Sequence, residues 1–193
     1  MSPFNKGIFY IVIGSFWWGV LGVIYFKSVS FVGNIELVLH RTIWTSVMLF
    51  ISTFIFSKWS IINNIVKIKK NIFFLTLTSV LIFLNWSVWI YAVSTNQIVD
   101  ASFGYFIMPI LSVFFGYLFF KEEFNKLRLF AIILTIVSVI YLFYFYKNFP
   151  WIGLIVGFSW SLYNVIRKKI KIDVDLGLFI ESIIILPFAL IGM

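Results

Sequence analysis

Seven apolar stretches, each close to the length a helix needs to cross a bilayer, follow one another along this chain with only short polar segments between them. They are Gly7–Phe26, Ile35–Phe56, Ile72–Ser94, Ile98–Phe120, Leu129–Tyr146, Pro150–Ile166 and Leu176–Met193. At 1.5 Å rise per residue, about 20 residues reach across about 30 Å of hydrocarbon. Only 11% of the residues are charged and 62% are hydrophobic, where a soluble domain carries about 25% charged residues. The expected fold class is therefore an all-α polytopic membrane protein of about seven spans. The first run exceeds the apolar core of a signal peptide and no A-x-A-like cleavage site follows it, so it reads as a retained helix.

The cations give the topology. If each run crosses once, Lys6, Lys58, Lys67, Lys69, Lys70, Lys121, Lys126, Arg128, Arg167, Lys168, Lys169 and Lys171 fall on one side. Lys27 and Lys147 fall on the other, and Arg41 lies inside a run. The positive-inside rule then puts the N-terminus in the cytoplasm, with the basic loops against anionic lipid headgroups. Loops of this kind account for the net charge of +8 without nucleic acid as a partner. There is no cysteine and only one histidine, which excludes disulfides, thiolate metal sites and a multi-histidine site within one chain. Neither G-x-x-x-x-G-K-[ST], H-E-x-x-H nor G-x-S-x-G occurs. No catalytic residue, metal or cofactor is expected, and transport would run on a gradient.

The second run opens with an ionisable corner: Glu36, His40 and Arg41. Such groups inside a membrane segment need a partner, a wet cavity or a route to the interface. Glu36 and His40 are four residues apart and share a helix face, whereas Arg41 lies about 100° further round. A carboxylate beside a histidine can exchange a proton in the physiological range; the alternative is anchoring at the interface, with Arg41 snorkelling outward. The topology puts Asp100 at a similar depth, entering from the same side as Glu36, so the two carboxylates are expected to meet around a cavity. The other reading of Asp100 is a first-turn acid. Asn85, mid-run between aromatic neighbours, either reads a polar group of a substrate or hydrogen-bonds another helix. Pro109 removes a backbone donor, frees the Tyr105 carbonyl and is expected to kink its helix beside a cavity, where Tyr105 stacks on a substrate or fills space. Gly153-Leu154-Ile155-Val156-Gly157 has the spacing for close helix approach, and Trp17 and Trp18 either line a cavity or face lipid.

An internal echo links Gly14-Ser15-Phe16-Trp17 to Gly157-Phe158-Ser159-Trp160, and Glu36 to Glu181, at offsets of 143 and 145. Five runs separate the copies, so successive copies insert upside down, as in inverted-repeat transporters. On this reading residues 1–146 form one five-helix repeat and residues 147–193 begin an inverted second repeat that the chain does not complete.

The strings E-L-V-L-H-R-T-I-W-T-S (Glu36–Ser46), L-N-W-S-V-W-I-Y-A-V (Leu84–Val93), V-D-A-S-F-G-Y-F-I-M-P-I (Val99–Ile110) and Pro150-Trp151-Ile152, with the charged turn Lys121-Glu122-Glu123, resemble RarD-type proteins of the EamA drug/metabolite transporter family. The resemblance runs from Lys6 to the C-terminus. It implies a bacterial inner-membrane permease of ten helices in two inverted five-helix repeats around a central cavity, and a link to chloramphenicol sensitivity. Asp100 stands where the family more often has glutamate, and helices eight to ten have no counterpart here. The expected function is a secondary transporter of a small amphipathic metabolite or drug working by alternating access. Glu36, His40, Arg41, Asn85, Asp100 and Tyr105 are the candidates for substrate or proton binding. The alternative is a truncated half-carrier, acting as an assembly subunit whose missing helices come from an oligomer, or inactive. A membrane-embedded enzyme would need Glu36, His40 and Asp100 within hydrogen-bond reach of one another or of a shared substrate atom.

Overall fold

The computed structural model describes residues 3–121, 125–145 and 149–193. Among them there is no strand, and a helix occupies each of the seven apolar runs. The first is built of α1 (Pro3–Phe16), a π-helical segment (Trp17–Gly22) and α2 (Val23–Ser28). Then come α3 (Asn34–Ile55), α4 (Trp59–Lys67), α5 (Lys69–Ser94), α6 (Ile98–Phe120), α7 (Lys126–Phe145), α8 (Trp151–Ile170) and α9 (Val174–Ile191). Phe4–Ser28, α3, α5, α6 and α9 are long and apolar enough to cross a membrane. Of the other two expected spans, Leu129–Phe145 is a shorter apolar helix, and α8 carries Arg167, Lys168 and Lys169 in its last turn.

Two features depart from the sequence reading. The short helix α4 falls in what the hydropathy pattern marks as a loop. It tucks Ile62 and Ile65 against Leu75 of α5 and Leu176, Phe179 and Ile180 of α9. The eighth helix also runs four residues past its expected end at Ile166, so Arg167 is not a loop cation: its side chain is only 9% exposed. Glu122, Glu123, Tyr146 and Lys147, and with them the proposed boundary between repeats, lie outside the described residues.

The central element is α5, which packs on α8, α9, α3, α2, α6 and α4. It joins α6 through Thr95–Gln97, where Asn96 adopts φ 59°, a left-handed turn conformation that asparagine tolerates. The Gln97 amide then donates to the Ala92 carbonyl at 2.7 Å, which closes the short turn from α5 into α6. Two buried hydroxyls of α3 are satisfied by their own helix: Thr42 Oγ1 donates to Val38 O and Ser46 Oγ to Thr42 O, both at 2.9 Å. Where no water can serve, this back-bonding removes the cost of an unpaired hydroxyl.

The broadest helix contact is between α6 and α8, and glycine makes it possible. A Cβ at Gly104 would lie 2.7 Å from the Gly153 carbonyl oxygen; one at Gly157 would lie 2.9 Å from the Gly104 oxygen. The G-x-x-x-G spacing in α8 is thus a packing device. Pro109 sits within α6, which stays helical from Ile98 to Phe120.

Candidate functional site

Two cavities meet at α3. One, of about 620 Å³, is lined by Glu36, His40, Trp44 and Met48 along α3 and by Tyr25 and Phe26 of α2. His40 Nε2 stands 3.8 Å from Glu36 Oε1, and these side chains are 42% and 58% exposed. That separation is too long for a hydrogen bond between them.

The second cavity, of about 430 Å³, has Trp18, Asn85, Trp86, Tyr105, Tyr163 and Arg167 on its wall. Arg41 and Leu178 belong to both cavities. The 100° step from His40 carries Arg41 off the exposed face and into a set of rings. Its guanidinium carbon lies 4.2 Å from the centroid of Trp86, 4.7 Å from Trp18 and 5.6 Å from Phe26. Each such contact contributes about 0.5–2 kcal/mol, more where water is excluded. Trp18 is set there by the π-helical segment and stacks on Trp89 at 5.0 Å between centroids; π turns inside α-helices often mark functional sites. Trp17, its neighbour, is 65% exposed.

Asn85 is buried, and its Nδ2 donates to Val156 O and Ser159 Oγ, both at 3.0 Å. Its amide nitrogen is therefore engaged in holding α5 to α8, although the residue also lines the cavity. Tyr105 is 43% exposed and lines the Arg41 cavity. Asp100 is half-buried and lines neither cavity. The main partner of α6 is α8, with α7 and α5 behind it and α3 not among them, so the structure does not bring Asp100 to the Glu36–His40 pair. Glu36, His40 and Asp100 therefore do not line one cavity together. Among the described residues no group of three or more His, Asp or Glu side chains is placed to hold a metal.

A second ionic centre was not foreseen. Glu181 of α9 is completely buried. Its Oε1 accepts from Thr78 Oγ1 of α5 at 2.7 Å and lies 3.6 Å from Arg167 Nε of α8. Oε2 accepts from Tyr163 OH at 3.0 Å. Arg167 Nη2 in turn donates to the Asp173 carbonyl at 2.9 Å. Three helices are thus tied by one carboxylate beside the cavity. The sequence signal was available: a lone glutamate inside an apolar run needs a counter-ion, and Arg167 is the nearest arginine to it along the chain. Glu36 and Glu181 correspond in the internal echo, yet one is open to a cavity and the other is sealed. Their helices, α3 and α9, pack against each other.

With this geometry in view, residues 5–144 match the EamA-like transporter family. The chain belongs to that family. The EamA-family chain is 32% identical to Protein RarD of Escherichia coli (strain K12) over 187 residues, 97% of this chain and 63% of that protein. It is 35% identical to the uncharacterized transporter YojE of Bacillus subtilis (strain 168) over 189 residues, 96% and 63% of the two. A Pseudomonas aeruginosa protein named chloramphenicol-sensitive protein RarD is 24% identical over 164 residues, covering 83% of this chain and 55% of that one. The EamA-family chain therefore spans less than two thirds of the length of these relatives. No solved structure matches it.

Proposed function

We propose that the chain works as a gradient-driven transporter of a small amphipathic metabolite or drug, with the Arg41 cavity as its binding site. The observation that carries this reading is the position of Arg41. A guanidinium within a membrane-length helix, caged by Trp18, Trp86 and Phe26 on the wall shared by two cavities, is the kind of intramembrane charge that marks a ligand or ion pathway. Membership of a transporter family supports the same class of activity. On this proposal Glu36 and His40 exchange a coupling proton in the adjoining cavity, and alternating access exposes the Arg41 cavity to each side in turn. The protein lies in a bacterial inner membrane with its N-terminus in the cytoplasm, as the loop cations favour. Residues 1–146 act as one repeat, paired with an inverted second repeat beginning at residue 147.

The test is flux in proteoliposomes containing the full chain. Chloramphenicol, named in the Pseudomonas aeruginosa relative, is the first probe, followed by a panel of amphipathic metabolites. Flux driven by an imposed proton gradient and collapsed by a protonophore is expected, with Glu36→Gln losing the proton-coupled component. Flux indistinguishable from empty liposomes across the panel, with either gradient direction, refutes the proposal.

A further inference from the structure

Among the described residues only two buried side-chain nitrogen or oxygen atoms lack a hydrogen-bond partner: Arg41 Nη1 and Arg167 Nη1. Both residues stand on the wall of the same 430 Å³ cavity. Unpaired buried donors are rare in folded proteins, and they cost most on a charged group. Arg167 Nη1 is packed against Gly177 of α9, so it is Arg41 that is left to meet a ligand in the cavity.

The charges decide its sign. The cation of Arg167 is balanced by Glu181 at 3.6 Å. Arg41 has no carboxylate within ion-pair distance among the described residues; Glu36, five residues earlier, faces His40 instead. The cavity is left with one uncompensated positive charge. A cationic ligand would be repelled there, and a neutral one would leave that charge unmatched. A single carboxylate matches it and offers two oxygens to guanidinium donors. The rest of the wall is aromatic, with Trp18, Trp86, Tyr105, Trp160 and Tyr163, which suits a flat apolar body. A volume of 430 Å³ lies within the ordinary range for small-molecule sites.

We infer that this cavity selects aromatic monocarboxylates, bound through the guanidinium of Arg41. This rests on taking the Arg41 cavity as the binding site proposed above and specifies its ligand class.

The experiment is equilibrium binding to the full chain in lipid nanodiscs, with no gradient. The probes are 3-phenylpropionate, its uncharged amide and 2-phenylethylamine. The carboxylate is expected to bind about tenfold or more tighter than the amide, with the amine weakest. Arg41→Gln is expected to remove that preference while the amide still binds, which shows that the cavity survives. Sodium chloride at the same concentration serves as the inorganic arm: displacement of the carboxylate by chloride alone, at equal concentration, overturns the aromatic selectivity. Equal affinity for carboxylate and amide, tightest binding by the amine, or no carboxylate binding at millimolar concentration overturns the inference. Should Arg41→Gln not fold, the ranking of the three probes on the unaltered chain still decides. Carboxylate-selective binding without flux would sink the transporter reading alone. Proton-driven chloramphenicol flux without carboxylate preference would sink this inference alone.

Discussion

Replacing Glu181 by leucine tests whether the Arg167–Glu181 centre holds the bundle together. The substitution conserves bulk and removes both carboxylate oxygens. Thr78 loses one acceptor but keeps the Phe74 and Leu75 carbonyls at 3.0 and 3.1 Å, so its hydroxyl stays satisfied. Tyr163 OH loses Glu181 Oε2, and an unsatisfied buried hydroxyl costs about 1–3 kcal/mol. Arg167 loses its counter-ion. At the observed 3.6 Å and an effective dielectric of about 20, that attraction is about 4–5 kcal/mol before desolvation is counted. Breaking one side of a buried pair typically costs about 3–5 kcal/mol, because the surviving charge stays buried. Glu181→Leu should therefore destabilise the chain by about 3–5 kcal/mol. Arg167→Met with Glu181→Leu should recover most of this, to within about 2 kcal/mol of the parent, since a buried ion pair exchanged for apolar residues is often neutral. Unfolding in mixed detergent–SDS micelles across the four proteins of this cycle gives the coupling energy. If the double variant loses as much as the two single losses added, Glu181 and Arg167 do not act as a pair and the reasoning fails.

Two further predictions concern helix packing. Gly153→Ala puts a Cβ 2.6 Å from the Asp100 carbonyl oxygen, where ordinary contact begins at 3.4 Å; α6 and α8 must separate, at about 1–3 kcal/mol, which exceeds the helix-propensity gain of about 1 kcal/mol. Gly19→Ala meets nothing within 4 Å and should be neutral or slightly stabilising in the same micelle assay; equal behaviour of the two variants would contradict the packing role. Asn85→Leu removes the bonds to Val156 O and Ser159 Oγ and should cost about 0.6–2 kcal/mol, whereas a change below the assay's resolution would leave Asn85 free for the ligand.

The membrane class and the placement of helices were legible because hydropathy over 20 residues averages many small terms. The charged corner of α3 was legible too, since ionisable residues are conspicuous in an apolar run. Which of its members share a cavity was not. Asp100 and Glu36 begin at similar expected depths, but depth says nothing of azimuth, and α6 turns its small residues to α8 rather than to α3. Arg167 was misread for a related reason. Counted with Lys168 and Lys169 it is one of a basic cluster, and only the extension of α8 to Ile170 shows that one member turns inward to Glu181. The π-helical segment that sets Trp18 beside Arg41 has no signature in W-W-G-V-L-G that marks it out.

The glycine seam between α6 and α8 also carries a kinematic constraint. With backbone resting on backbone, neither helix has a channel along which to slide. Phe103 and Val156 already stand beside the glycines, their Cβ atoms within 2.6 and 3.1 Å of where a Cβ on Gly153 or Gly104 would be, and they block sliding in either direction. The two helices must therefore travel as one stave, and any widening or narrowing of the hollow beside them falls to the staves on its other side, where Arg41 and Trp18 are mounted.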